Sequence, residues 1–164
     1  MKYLIAMFLV FFAMPAYAQE TGLPLLVTDP DPKGTNVRAN PGGAVIRVIP
    51  FGGASDADIE MRRVTVTEVK GQWFWATLAD NSNGWIHTSV VGTCASATED
   101  GDPAMYTKAD ESSAPVARVK DGAKLRLLEW RGDWARVQTA EGAKKTGWMM
   151  THTLLANPYN SCWK

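Results

Sequence analysis

Glu68-Val69-Lys70-Gly71-Gln72-Trp73, followed by Gly84-Trp85-Ile86-His87-Thr88, returns later in the chain as Glu129-Trp130-Arg131-Gly132-Asp133-Trp134 followed by Gly147-Trp148-Met149-Met150-Thr151. The Glu-x-basic-Gly-x-Trp block recurs at an offset of 61 and the Gly-Trp block at an offset of 63, the difference being two extra turn residues in the second copy. Upstream, Val45-Ile46-Arg47-Val48 corresponds to Val116-Ala117-Arg118-Val119, each after a loop bearing Pro or Ser. Matching blocks in the same order mark an internal repeat, so the chain reads as two copies of one small unit.

Within each copy the periodicity is that of strands. Val64-Thr65-Val66-Thr67 and Lys124-Leu125-Arg126-Leu127 alternate apolar and polar residues, the pattern of a strand with one face on a core and one in water. Lys70-Gly71-Gln72 and Arg131-Gly132-Asp133 read as tight Gly turns, and 80–84 and 140–143 as longer hairpin loops. The 14 Gly and 9 Pro of the chain favour many turns and short strands over long helices. Strands are expected near 36–39, 44–49, 64–70, 73–78, 84–87 and 90–91, and again near 104–108, 116–119, 123–130, 134–139, 146–149 and 154–155. Five or six short strands per copy cannot make a deep sandwich, but they can close into a small barrel, which also removes exposed edges.

The first copy resembles the bacterial SH3 (SH3b) family. The resemblance is carried by Asn36-Val37-Arg38-Ala39-Asn40-Pro41, Val45 to Pro50, Val64-Thr65-Val66, Gly71-Gln72-Trp73 and Gly84-Trp85-Ile86-His87-Thr88-Ser89-Val90-Val91. The second copy keeps the latter half of the pattern and has Tyr106-Thr107-Lys108 in place of Asn-Val-Arg. The expected fold is therefore all-β, two tandem small SH3-like β-barrels after a cleaved signal peptide. The expected segments are a signal peptide at 1–18, an N-terminal extended segment at 19–34, barrels at 35–91 and 103–155, a linker at 92–102 and a tail at 156–164.

The signal peptide rests on Lys2, the apolar run Tyr3 to Met14, and the small-x-small site Ala16-Tyr17-Ala18. Pro15 ends the run short of the length that crosses a bilayer, so no stable membrane insertion after cleavage is expected. Export to the periplasm or medium would expose Cys94 and Cys162, the only two cysteines, to an oxidising compartment. A Cys94–Cys162 disulfide is the expectation, and two free or buried thiols are the competing reading.

Seven Trp make aromatic residues the best binding candidates. Trp73, Trp85, Trp134 and Trp148 sit at repeated positions, where each can pack its own barrel. Trp73-Phe74-Trp75 is different: consecutive strand residues point to alternate faces, so either Phe74 or the Trp73/Trp75 pair lies outside. Such an aromatic covers the other unit, the segment Leu23-Pro24-Leu25-Leu26-Val27, or a ligand. Between Pro50 and Val64 the first copy carries an insertion with Phe51, Asp56, Asp58 and Glu60 followed by Arg62 and Arg63. It lacks calcium-loop spacing, so it reads as a solvated loop or a partner-contacting one. Trp75, Trp85, Phe51, Asp56 and Asp58 are the candidate ligand residues.

No catalytic residue, cofactor or metal is expected. His87 and His152 follow the two Gly-Trp strands without a third ligand, and no nucleophile elbow, phosphate loop or Cys-His signature occurs. With 17 Lys plus Arg against 17 Asp plus Glu, nucleic acid is an unsuitable partner. Charge is nevertheless partitioned. Residues 19–102 hold 6 basic and 11 acidic side chains, a balance of −5, and residues 103–164 hold 10 and 6, a balance of +4. The second unit can face the first, or an anionic envelope polymer. The SH3b resemblance implies a non-enzymatic module that binds peptidoglycan or its peptides, as a targeting or adaptor unit. The alternative is a protein-interaction partner, such as an inhibitor or immunity-type protein of a cell-wall enzyme, contacting an envelope protein through the insertion.

Overall fold

The computed structural model describes residues 22–50 and 55–163. The expected signal peptide at 1–18 and Phe51 lie outside those residues. The described chain is all-β, apart from one short helix and two single 3-10 turns, and every strand pairing is antiparallel.

The first repeat contains β1 (Leu23–Val27), the hairpin β2 (Thr35–Arg38) and β3 (Val45–Ile49), helix α1 (Asp56–Glu60), and the meander β4 (Arg63–Lys70), β5 (Trp73–Leu78) and β6 (Asn83–His87). A 3-10 turn at Thr88–Val90 leads into β7 (Val91–Ala95), which pairs back onto β1. The second repeat reproduces this order. The hairpin β8 (Ala104–Tyr106) and β9 (Pro115–Arg118) precedes the meander β10 (Lys124–Arg131), β11 (Trp134–Thr139) and β12 (Thr146–Met150). A 3-10 turn at Thr151–Thr153 leads into β13 (Leu154–Leu155), which pairs back onto β7. In both repeats the first strand of the hairpin joins the last strand of the meander, β2 to β6 and β8 to β12. The first strand pairs with the first meander strand, β1 with β4 and β7 with β10. β7 is thus the last strand of one unit and the first of the next.

The equivalence reaches single residues. Each meander has a bulge at the same place, between Val66 and Glu68 and between Leu127 and Glu129. Gly71 and Gly132 turn the following hairpins with φ of 58° and 55°, a region that costs side-chain-bearing residues energy. The Gly of each Gly-Trp pair has a packing reason. A side-chain carbon at Gly84 would meet Val37 and come within 3.2 Å of the Arg38 carbonyl oxygen; at Gly147 it would meet Met105 and come within 2.7 Å of the Tyr106 carbonyl oxygen. The glycines let the hairpin lie down on the meander.

Inward residues alternate as the period-2 pattern requires. Val64, Val66, Phe74, Ala76, Leu78 and Ile86 fill the first unit, and Leu125, Leu127, Ala135, Val137 and Met149 the second. The pair Phe74/Ala76 is replaced by Ala135/Val137, a different division of volume at equivalent positions. Both sets belong to one continuous cluster that runs through β1 and β7.

Three expectations change. The segment at 19–34 contains β1, a sheet strand between β4 and β7, because its apolar run Leu25-Leu26-Val27 is buried throughout. The linker at 92–102 begins as β7, all of whose residues are buried; only the stretch after Ala95 connects, closed by a Thr98–Gly101 bridge. The insertion forms α1 from residue 56. Ser55 caps it, its hydroxyl accepting from the Asp58 N–H at 3.2 Å and donating to the Asp58 carboxylate at 2.6 Å.

Candidate functional site

The register of the first meander places two rows of side chains on its outer face. One row is Glu68, Trp75, Trp85 and Arg38, taken across β4, β5, β6 and β2. The next is Lys70, Trp73 and His87. Phe74 points the other way and is fully buried, so the Trp73/Trp75 pair is the outer one, half-exposed on both sides of it. The Trp75 and Trp85 rings meet edge to face with centroids 5.5 Å apart, and Trp73 meets His87 in the same manner at 5.1 Å. The Arg38 guanidinium lies 6.0 Å from the Trp73 ring centroid and is steadied by donating to the Gly43 carbonyl at 2.6 Å. These ring contacts all lie within the first unit.

His87 is oriented by its neighbours. Its Nδ1 accepts the Ser89 backbone N–H at 3.2 Å and lies 2.7 Å from the Ser89 hydroxyl, so it caps the 3-10 turn. Nε2 then carries the ring proton in the neutral form. A cleft of about 240 Å³ opens beside this row, lined by Asp29, Thr35, Arg38, Trp73, His87 and Ser89. An aromatic wall, a fixed guanidinium and hydroxyl and imidazole groups can stack on a flat apolar ring and bond to its polar substituents.

The second unit does not repeat this surface. Its equivalent rows are Glu129, Arg136, Trp148 and Tyr106, then Arg131, Trp134 and Met150. Arg136 takes the place of Trp75 and Met150 that of His87. Arg131 pairs with Glu129 and stands over the Trp148 ring at 5.3 Å, so charges cover the place of the tryptophan pair, while Tyr106 and Trp134 meet edge to face with centroids 5.9 Å apart. His152 falls at the position of Ser89, not of His87, and is exposed.

Of the expected site residues, the structure brings Trp75 and Trp85 together. Asp56 and Asp58 lie on α1, and no hydrogen bond or ion pair among the described residues joins that helix to the tryptophans. Glu60 of α1 pairs with Arg63 at 3.3 Å, and its charge acts on the Tyr159 phenol of the C-terminal segment. Arg38 and His87 were not among the expected ligand residues, since their place on the face follows from cross-strand register. The expected disulfide Cys94–Cys162 is present. No group of three or more His, Cys, Asp or Glu that could hold a metal ion occurs among the described residues. No helix among them is long and apolar enough to cross a membrane.

Fold and face together define an all-β protein of two topologically equivalent units, with three tryptophans clustered on the face of the first and a Tyr106–Trp134 pair on that of the second. No family model matches the chain, and no curated protein matches it. The solved structures similar to it include two from Trichomonas vaginalis. NlpC1 from Trichomonas vaginalis has 10% sequence identity and a TM-score of 0.35, over 90% of this chain and 50% of that one. NlpC2 from the same organism has 11% identity and a TM-score of 0.33, over 84% of this chain and 49% of that one. The chain spans about half the length of these structures.

Proposed function

We propose that this chain is an exported pair of SH3b-like barrels that binds cell-envelope material, peptidoglycan or its peptides, without acting on it chemically. The observation that carries the reading is the ladder of Trp73, Trp75 and Trp85 with Arg38 and His87 in the first unit; in the second unit Arg136 and the Glu129–Arg131 pair take the place of the tryptophan pair, beside a Tyr106–Trp134 contact. Half-exposed Trp73 and Trp75, backed by the buried Trp85, offer apolar area on a rigid sheet to stack on sugar rings at little entropic cost, and Arg38 supplies a donor for a peptide carboxylate. Three further features support it: the SH3b motifs of the first repeat, the pairing of the last strand of each unit with its first, and the export pattern at residues 1–18. The disulfide is compatible with a compartment outside the cytoplasm. In this reading the protein is a targeting or adaptor unit of the periplasm or medium.

The test is co-sedimentation of the chain with purified peptidoglycan sacculi, alongside affinity capture from a periplasmic extract. The chain should sediment with sacculi, and Trp75→Ala should weaken retention by about tenfold or more, the loss expected for a central aromatic anchor. Its melting temperature should stay close to that of the parent. No sedimentation, with a single protein captured stoichiometrically, would overturn wall binding in favour of an interaction partner.

A further inference from the structure

The C-terminal segment after β13 has no strand of its own, yet it crosses back over the strand that the two units share. Cys162 is bonded to Cys94 of β7, and its backbone N–H donates to the Cys94 sulfur at 3.0 Å. The Trp163 indole lies over Gly92, where a side-chain carbon would come within 2.7 Å of its Cζ2 atom. Its Nε1–H donates to the Thr93 carbonyl at 3.0 Å. The Arg126 guanidinium stands 4.3 Å from the ring centroid, and Arg62 donates to the Trp163 carbonyl at 3.2 Å. Arg126 is itself tied to β7 through the Val91 carbonyl at 3.0 Å. The indole therefore fills a seat with an apolar floor, a backbone acceptor at one end and a cation above it.

In the folded chain this closure is local. Leu155 of β13 is already paired with Cys94 in the sheet ladder, so the disulfide closes only the short loop from Leu155 to Cys162. Breaking it frees the segment without removing any ladder pair. We propose that residues 156–163 form a redox-released strap, in which reduction of Cys94–Cys162 by a dithiol lets Trp163 leave its seat and uncovers the outer face of β7. A thiolate of the dithiol attacks the Cys162 sulfur, the more exposed of the pair, forming a mixed disulfide and expelling Cys94 as thiolate. The second thiol of the reagent resolves the mixed disulfide; the reagent leaves oxidised, and both cysteines take up protons. What is uncovered is Gly92, Cys94 and the Gly92-paired Leu26, flanked by Arg126 and Lys124. The strap does not depend on what the first unit binds.

Hydrogen exchange of the full chain, followed by mass spectrometry before and after dithiothreitol, tests this. The peptide covering 156–163 should exchange at least tenfold faster after reduction, while those covering β7, β5–β6 and β11–β12 keep their protection. Cys94→Ser combined with Cys162→Ser should show the same pattern without reductant; should that variant fail to fold, the reduced parent chain decides alone. Unchanged exchange of 156–163 after complete reduction would overturn the proposal. Loss of protection throughout would overturn it equally, since the bond would then be holding the whole fold.

Discussion

Gly84 and Gly147 show how much of the fold rests on single positions. Each lies where the hairpin strand crosses the meander, and the nearer backbone obstacle is at Gly147, 2.7 Å from an added carbon against 3.2 Å at Gly84. Gly147→Ala should cost about 1–3 kcal/mol, as overpacking does, and more than Gly84→Ala, read as the difference in denaturant midpoint. Tyr159 reports on a different contact. Partial desolvation first, then the charge of Glu60 and its hydrogen bond, hold the phenol above its ordinary pKa. The contact is present below the ordinary phenol range and is lost as pH rises through the raised value. Glu60→Gln should lower the midpoint of an absorbance titration of this tyrosine. The Gly-Trp pairs were legible in the sequence because they recur. The replacement of Trp75 by Arg136 follows from the same offset of 61, whereas the place of Arg38 and His87 on the tryptophan face does not, because it is fixed by cross-strand register.

Among the elements, the meanders were the most legible, since β4, β5, β10 and β11 alternate apolar and polar residues and their turns carry glycine. β1 was hidden for the opposite reason. Leu23-Pro24-Leu25-Leu26-Val27 lacks alternation because its last three residues are covered on both faces, and its partners β4 and β7 lie far away in sequence. α1 was hidden because five residues are too few for a helical period, and its acidic run reads equally as loop. Ser55→Ala removes its cap and should destabilise the helix by about 1 kcal/mol. Because α1 makes no bond to the ladder, sacculus retention should be unchanged by that substitution; a matching loss of retention would bring the insertion into the binding surface.

For the whole molecule, the decisive feature is that β7 belongs to both units and that one core cluster runs through them. Division at the expected linker start would separate a unit from a strand it needs. A fragment of residues 103–163 should stay unfolded by circular dichroism, whereas residues 91–163, with their own disulfide, should fold. A folded 103–163 fragment would show that β7 is dispensable to the second unit. The account's central claim is that the aromatic ladder of the first unit, and not its charge-covered counterpart in the second, is the binding face. The most direct test is an NMR titration of the seven indole N–H signals with soluble peptidoglycan fragments. The account predicts that the Trp73, Trp75 and Trp85 signals shift with a common affinity while those of Trp134 and Trp148 stay in place. Shifts confined to Trp134 and Trp148, or no shift at saturating fragment, would contradict it.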